Sequence, residues 1–341
     1  MAVKDAVRQT LADNKGTYIS GEELSASLGV SRAAVWKAIN ALRSEGCTIE
    51  AVTNKGYRMP VADETITEDS LRYALPPHLR DNTCFLYDEL DSTNLQAKRL
   101  LLEQNARSGC AVIATRQTAG RGRLGRSFFS PESGLYMSII IKPDFDISRS
   151  VLVTVAAAAA VATAVEDVCR QDARIKWVND VYIEGSKICG ILTEAMTDFE
   201  SGQIENLVIG IGINTCLDGF PPELLQTAGA VDLTRAAASG NIPASTNAIS
   251  MLAAEVLRNT LEFTEQIAGG SPAFLDLYRE KSLVLGKDIR VFKGTYRSDP
   301  TSELGGVPAK ALAIDDAGGL VVMYTNGERE TLTTGEVTIR L

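Results

Sequence analysis

The apolar residues of this chain change their spacing twice, and no single layer of secondary structure can accommodate all three patterns. Up to about residue 60 the spacing is helical. Val3, Val7 and Leu11 share a face with Ala6, and Ser20-x-x-Glu23 has the form of a capping box. Leu24 and Leu28 follow, then Gly29 as a stop. Ser31 caps a third helix lined by Val35, Ile39 and Leu42 and stopped by Gly46. Thr48–Val52, the turn Asn54-Lys55-Gly56 and Tyr57-Arg58-Met59 read as a two-stranded hairpin. From Phe85 onward, strand-like runs alternate with long helices. From Lys287 the period falls to two, with glycine turns between short segments.

A chain of 341 residues with three such regimes is multidomain, of mixed α/β (α+β) class. The spacing predicts a helical domain over 1–60 and a polar, proline-containing linker over 61–83. An α/β domain is predicted over 84–282 and a small β-barrel over 283–341. Strands are predicted at Phe85–Tyr87, Ala111–Thr115, Leu135–Ile141, Ile175–Trp177, Val181–Ile183, Ile188–Thr193 and Leu207–Ile213. Val151–Cys169 is a long helix, and 248–281 supplies two more.

Three helices followed by a hairpin wing make the winged helix-turn-helix plan, and SGEELSASLGVSRAAVWKAINALRSEG resembles DNA-binding domains of that kind. The whole chain carries a net charge of -9, which argues against broad electrostatic binding of nucleic acid or membrane. Residues 1–60, however, hold eight Lys/Arg against six Asp/Glu. Ser31, Arg32, Ala33 and Lys37 at the third helix and Lys55 at the wing tip are the candidate DNA contacts. The alternative for this domain is a docking module without DNA.

Composition removes several chemistries. His78 is the single histidine, so a serine–histidine–acid triad or a multi-histidine metal site is untenable. Cys47, Cys84, Cys110, Cys169, Cys189 and Cys216 are scattered without a CxxC pair and read as reduced thiols of a cytosolic protein. The N-terminus MAVKDAVRQTLADN lacks an apolar signal core. The alanine-rich run Val151–Val165 is short for a bilayer span and reads as a buried helix.

The stretch TAGRGRLGRSFFSP, residues 118–131, holds glycines at dinucleotide-loop spacing: Gly120, Gly122 and Gly125. That fold needs a helix opening within the loop. Here Ser127–Pro131 is β-prone and then broken by proline, and Asp144, at the distance of a ribose-binding acid, follows Pro143 in a turn. A nicotinamide loop is therefore rejected. Arg121, Arg123 and Arg126 instead surround a flexible glycine loop with positive charge, and it should order around an anion. Carboxylate and phosphate are the natural guests.

Two further stretches point the same way. IKWVNDVYIEGSKICGILTE reads as a hairpin turning at Glu184-Gly185, with Lys176, Asn179, Asp180 and Lys187 along apolar strands. LVIGIGINT ends an apolar strand on Gly210, Gly212 and Asn214, where a flat ring could approach the backbone.

Together these motifs resemble biotin–protein ligases. GRGRLGR looks like their GRGRxGR loop, KWVND their KWPND, KICGILTE their KxxGILxE, and GIGIN their GIGxN. DSTN at Asp91–Asn94 matches their substrate-edge motif. Val178 stands where the family has proline, and Phe128 where some members carry tryptophan. The resemblance covers essentially the whole chain and matches bifunctional members that are both ligase and biotin-operon repressor. It implies a central mixed α/β ligase domain of the biotin/lipoate type and a C-terminal SH3-like β-barrel.

It also implies a reaction. Biotin and ATP give biotinyl-5′-AMP, and biotin then passes to a lysine of a biotin carboxyl carrier protein. Mg²⁺ accompanies ATP without a fixed protein site. Lys187, Arg121, Arg123, Asp180 and Lys176 would carry the chemistry. Ser92, Thr93, Asn94, Gln117, Gly120, Gly122, Arg126, Phe128, Gly190, Gly210, Gly212, Asn214 and Arg340 would line the ligand site, with Glu336 beside Arg340. Operator DNA would be a second partner of a ligand-promoted homodimer in the cytoplasm, without membrane attachment. Lipoate ligases share the chemistry, and a non-catalytic biotin sensor is the alternative of another class.

Overall fold

A computed structural model describes residues 3–14, 17–44, 49–52, 55–58, 65–132, 134–146, 149–197, 204–238, 246–270, 272–292, 306–333 and 336–339. The chain divides into two compact units, Met1–Thr65 and Ile66–Leu341.

The first unit runs α1 (Val3–Asp13), α2 (Gly21–Leu28), α3 (Arg32–Ser44), β1 (Glu50–Val52), β2 (Gly56–Arg58). The capping box forms: Ser20 Oγ accepts from Glu23 N at 3.1 Å, and Glu23 Oε2 accepts from Ser20 N at 2.9 Å. Gly29 ends α2 in the left-handed region. Val7, Leu11, Leu24, Val35, Ile39, Leu42 and Ile49 close one core, each worth about 1.5–3 kcal/mol on full burial. Ile19 and Tyr57 exchange backbone hydrogen bonds at 2.9 Å and tie the hairpin to the helices. Gly56 permits this: a Cβ there would lie 2.2 Å from the Ile19 carbonyl oxygen. Gly46, Thr48, Asn54 and Met59 lie outside the described residues.

The second unit begins earlier in the chain than the sequence suggested. Much of the stretch expected to be a linker, 61–83, is folded: α4 (Glu68–Ala74) is capped by Thr67, and Leu71 and Leu75 are buried in the main core. The polar residues that suggested a linker are its cap and outer face. Next come β3 (Cys84–Leu90), α5 (Thr93–Leu102), β4 (Ala111–Gln117), β5 (Gly134–Ile141) and α6 (Ser150–Cys169). They are followed by β6 (Arg174–Lys176), β7 (Asp180–Ile183), β8 (Ser186–Thr197) and β9 (Ile204–Asn214). The helices α7 (Pro222–Leu225), α8 (Leu233–Ala238), α9 (Ala248–Ala268) and α10 (Phe274–Glu280) complete this part.

β3 to β9 form one sheet in the order β3-β4-β5-β9-β8-β7-β6. β3 and β4 are parallel, with α5 between them in sequence, and the remaining pairs are antiparallel. Period-two alternation sends opposite side chains into two cores. Ile113, Met137, Ile139, Ile209 and Ile211 join α6 and α9, whereas Val112, Ile140 and Val208 join α5. By composition alone α6 is long and apolar enough to cross a membrane. Here Ala156 to Ala162 are fully buried against the core, as the sequence predicted.

The C-terminal strands are β10 (Asp288–Phe292), β11 (Val307–Ile314), β12 (Leu320–Tyr324), β13 (Arg329–Leu332) and β14 (Glu336–Ile339). They form an antiparallel sheet in the order β13-β12-β11-β10-β14. This sheet is not a separate globule. Ile289, Val291 and Val322 belong to the same core as the central sheet, and Trp177 Nε1 donates to the Gly318 carbonyl at 3.0 Å. Cys84, Cys110, Cys169, Cys189 and Cys216 are free thiols, and Cys47 lies outside the described residues.

Candidate active site

Strand register builds the floor. Gly210 pairs with Ser138, and Gly212 pairs with both Tyr136 and Gly190. These positions share the α5 face, while Ile209, Ile211 and Ile213 point to the other core. A face carrying glycine and serine on three adjacent strands leaves a depression in an otherwise packed sheet. The missing side chains are required. A Cβ on Gly210 would lie 2.3 Å from Asn94 Oδ1, and one on Gly212 would lie 2.5 Å from Phe128 Cε1.

The DSTN turn stands over this floor. Asn94 is locked: its amide nitrogen donates to Glu194 Oε2 at 2.8 Å and to the Leu192 carbonyl at 3.3 Å. Its Oδ1 accepts from Ser138 Oγ at 2.6 Å. Gln117 Oε1 accepts from Thr93 N at 2.9 Å, and Gln117 Nε2 donates to Ser130 Oγ at 2.9 Å. Ser138 Oγ also lies 2.7 Å from Thr93 Oγ1. A hydroxyl has one proton and Asn94 Oδ1 can only accept, so Ser138 donates to Asn94, while the Thr93 hydroxyl has two acceptors in reach, Ser138 Oγ and Gln117 Oε1 at 3.2 Å.

The glycine–arginine loop is a built hairpin rather than an unstructured strap. Gly122 N donates to Arg126 O at 2.7 Å, Phe128 N to Gly120 O at 2.8 Å, and Gln117 N to Ser130 O at 3.1 Å. Gly125 takes φ +77° at its tip, where L side chains are strained. Gly120 lies at its base, where a Cβ would be 2.4 Å from Phe128 O.

Loop, turn and floor enclose a cavity of about 130 Å³. It is lined by four cationic side chains, Arg121, Arg123, Arg126 and Lys187, against one carboxylate, Asp180. The Lys187 ammonium is 2.7 Å from Asp180 Oδ1. Arg123 donates to Asn179 Oδ1 at 3.2 Å, and Asn179 Nδ2 donates to the Ile191 carbonyl at 2.8 Å. Outside the lining, Glu194 accepts from Lys98 at 2.9 Å and Arg121 at 3.3 Å. Burial pushes its carboxyl up, but hydrogen bonds from Asn94 and Lys98 and the nearby charges outweigh this and hold it below the usual glutamate range. The loop arginine Arg121 and the floor residue Asn94 thus share one anchor.

Of the residues singled out from the sequence, Ser92, Thr93, Asn94, Gln117, Arg121, Gly122, Arg123, Arg126, Phe128, Asp180, Lys187, Gly190, Gly210 and Gly212 line this cavity. Three do not. Gly120 packs beneath the loop. Lys176 Nζ lies 6.0 Å from the centre of the Tyr182 ring. Asn214 is buried and donates to the Gly229 carbonyl at 3.0 Å, tying the following segment to β9. Arg340 lies outside the described residues, as does the side chain of Glu336. Ser138 and the anchoring role of Glu194 were not legible, because both depend on cross-strand neighbours. Among the described residues no three His, Cys, Asp or Glu cluster as metal ligands.

In the first unit Ser31, Arg32, Ala33, Lys37 and Lys55 are all exposed. Ser31 Oγ accepts from Ala34 N at 3.2 Å, so it caps α3.

Comparison with known proteins follows this division. Residues 86–214 match the biotin/lipoate A/B protein ligase family, and residues 4–58 match an HTH domain family. The chain is similar to the bifunctional ligase/repressor BirA of Bacillus subtilis, 34% identical over 91% of this chain and 90% of the relative. It is also similar to a biotin–[acetyl-CoA-carboxylase] ligase of Paracoccus denitrificans, 35% identical over 42% of this chain and 55% of the relative. A solved Aquifex aeolicus biotin protein ligase, in complex with biotin and ATP, is 26% identical. It covers 76% of this chain and 98% of its own, with a TM-score of 0.59.

Proposed function

Because the chain belongs to the BirA family of bifunctional ligase/repressors, we infer that it is an ATP-dependent biotin–protein ligase that also represses transcription. The observation that carries the catalytic reading is the cavity's excess of cations over a glycine floor. The first half-reaction brings a carboxylate against a triphosphate, and fixed positive charge lowers the cost of that approach.

An oxygen of the biotin carboxylate attacks the α-phosphorus of ATP. The bond from phosphorus to the bridging oxygen breaks, giving biotinyl-5′-AMP and pyrophosphate. The neutral amine of a carrier lysine then attacks the acyl carbon. The carbon–oxygen bond breaks, AMP leaves, and the amine proton passes to solvent. Arg121 and Arg123 offset charge at the meeting point of carboxylate and phosphate. Lys187 donates to the oxygens that gain charge at phosphorus, and Asp180 aims its ammonium. Thr93, Asn94 and Gln117 supply polar contacts to biotin, and Gly210 and Gly212 admit its ring. Phe128 offers an aromatic face to the adenine side.

Mg²⁺ carried in on the nucleotide would supply further charge neutralisation. The single carboxylate in the lining suits a cation carried in by the nucleotide better than a protein cage of several oxygen ligands. The acceptor is the carrier domain of a biotin-dependent carboxylase such as acetyl-CoA carboxylase. The repressor half is assigned to α3 and the wing, paired by ligand-promoted dimerisation so that two α3 helices meet a palindrome. A ligase that uses ATP, a carboxylase carrier and operator DNA would work in the cytoplasm.

ATP–pyrophosphate exchange, run with biotin, with lipoate and without acid, tests the reading. Exchange with biotin alone is expected. Exchange with lipoate alone would transfer the same chemistry to the other branch of the matched family. No exchange with either acid, alongside intact biotin binding, would leave a sensor rather than an enzyme.

A further inference from the structure

The recognition helix carries a residue that neither half of the reading uses. Trp36 sits in the middle of α3 with 61% of its surface exposed, the most exposed aromatic after Tyr73 at 63% among the described residues. A large aromatic side chain on a small polar unit is the informative exception to ordinary surface composition. Its neighbours give the surface a chemistry. Ala33 and Trp36 are three residues apart and Arg32 and Trp36 four apart, so all three share one face of the helix. Lys37 stands beside Trp36 in sequence, and all four side chains are exposed. Val35, Ala38, Ile39 and Leu42 occupy the opposite face and are buried, so α3 cannot rotate Trp36 inward without emptying its core.

We propose that Trp36, with the methyl of Ala33 beside it, packs against thymine methyl groups in the major groove of operator DNA. The inference rests on the repressor reading given above. A basic flank with an apolar centre matches a major groove in which phosphates border the thymine C5 methyls. Arg32, Lys37 and Lys55 supply positioning through phosphates, which carries no sequence information. Trp36 supplies the discrimination. A second copy of this chain would meet the same apolar patch but also the like charges around it.

The test uses the full-length protein with biotin, ATP and Mg²⁺ present. Duplexes enriched from a random-sequence pool by the unmodified protein serve as specific probes, and shuffled duplexes as non-specific ones. Trp36→Ala is expected to lose roughly ten-fold or more in affinity for the enriched duplex, from the usual cost of a lost base contact. It should keep its affinity for shuffled DNA and its ligase activity. Replacing thymine by deoxyuridine removes only the methyl. That change should weaken unmodified protein by about four-fold per contacted position and weaken Trp36→Ala less, through Ala33 alone. Trp36→Phe should recover part of the loss. Trp177 is buried and serves as an internal reference, so acrylamide quenching reports Trp36. The enriched duplex should protect it.

Equal affinity of Trp36→Ala and unmodified protein for the enriched duplex would overturn the inference while leaving the repressor reading intact. So would equal sensitivity of both proteins to deoxyuridine, or a changed dimerisation constant with unchanged DNA discrimination. Failure of the unmodified protein to enrich any sequence would overturn the repressor reading and this inference with it.

Discussion

The ammonium of Lys187 lies 2.7 Å from Asp180 Oδ1, between residues on the paired strands β7 and β8. The carboxylate restricts where the lysine can point, and the lysine is the cation of the lining that comes from the sheet rather than from the loop. Lys187→Ala should therefore lower biotin-dependent pyrophosphate exchange by at least about 10²-fold. Stability should change by roughly 1 kcal/mol or less, because both side chains are partly open to solvent. Asp180→Asn should cost roughly ten-fold, through misplacement of Lys187 rather than its loss. Undiminished exchange in Lys187→Ala would remove the residue from the chemistry.

Gly210 and Gly122 separate steric need from motif membership. A methyl on Gly210 would meet Asn94 Oδ1 at 2.3 Å, and Asn94 is held by Ser138, Leu192 and Glu194. Gly210→Ala should destabilise the protein by about 1–3 kcal/mol and raise the KM for biotin. A methyl on Gly122 would meet Arg126 O at 3.4 Å, close to ordinary contact. Gly122→Ala should alter melting temperature little, so any rise in its KM for biotin would come from the cavity side, where Gly122 is part of the lining. Equal effects in thermal melts would contradict this account.

Ser138 is fully buried between Thr93 and Asn94. Removing its hydroxyl leaves Asn94 Oδ1 without its donor, while Thr93 keeps Gln117, and should cost about 1–3 kcal/mol. With one of the three contacts that fix Asn94 gone, Ser138→Ala should weaken biotin binding more than it lowers kcat. Isothermal titration and steady-state kinetics distinguish the two, and a pure kcat loss would contradict a positioning role.

Glu194 provides a pH test. Its folded carboxyl is held below the usual glutamate range, so the unfolded chain binds more protons and the stabilisation is complete above the unfolded pKa of about 4.3. It disappears as pH falls through the folded value. Unmodified protein should melt above Glu194→Gln at pH 7, and the gap should narrow below about pH 4.3. A gap independent of pH would mean that packing, not charge, is what the substitution disturbs. Limited trypsin digestion at Arg121 should also accelerate in Glu194→Gln, since the loop loses its anchor.

Much of the molecule was legible because it depends on neighbours in sequence. The box Ser20-x-x-Glu23, the stop at Gly29 and the 3.6-residue spacing of Val35, Ile39 and Leu42 act within one or two turns. The strands β4, β5 and β9 follow from period and composition, as does the buried helix α6. Arginines at Arg121, Arg123 and Arg126 announce an anion loop before any fold is known. The linker expectation failed at 66–79, because capping polar residues look like a tether until α4 is seen to bury Leu71 and Leu75.

The local elements and the chemical types offered to a ligand are written in the chain itself. Short-range hydrogen bonding and side-chain period are written in neighbouring residues. Which of those groups share a site depends on the folded arrangement. Gly210 meets Ser138 through the register of β5 and β9, and Glu194 reaches both Arg121 and Asn94 from β8. Lys176, opposite Asp180 in the β6–β7 register, lies near the Tyr182 ring, and Asn214 donates to Gly229, so neither lines the cavity that their motifs suggested. These pairings join residues far apart in the chain. They are fixed by strand register and by the packing of two cores on opposite faces of one sheet, and neither leaves a local mark in the sequence.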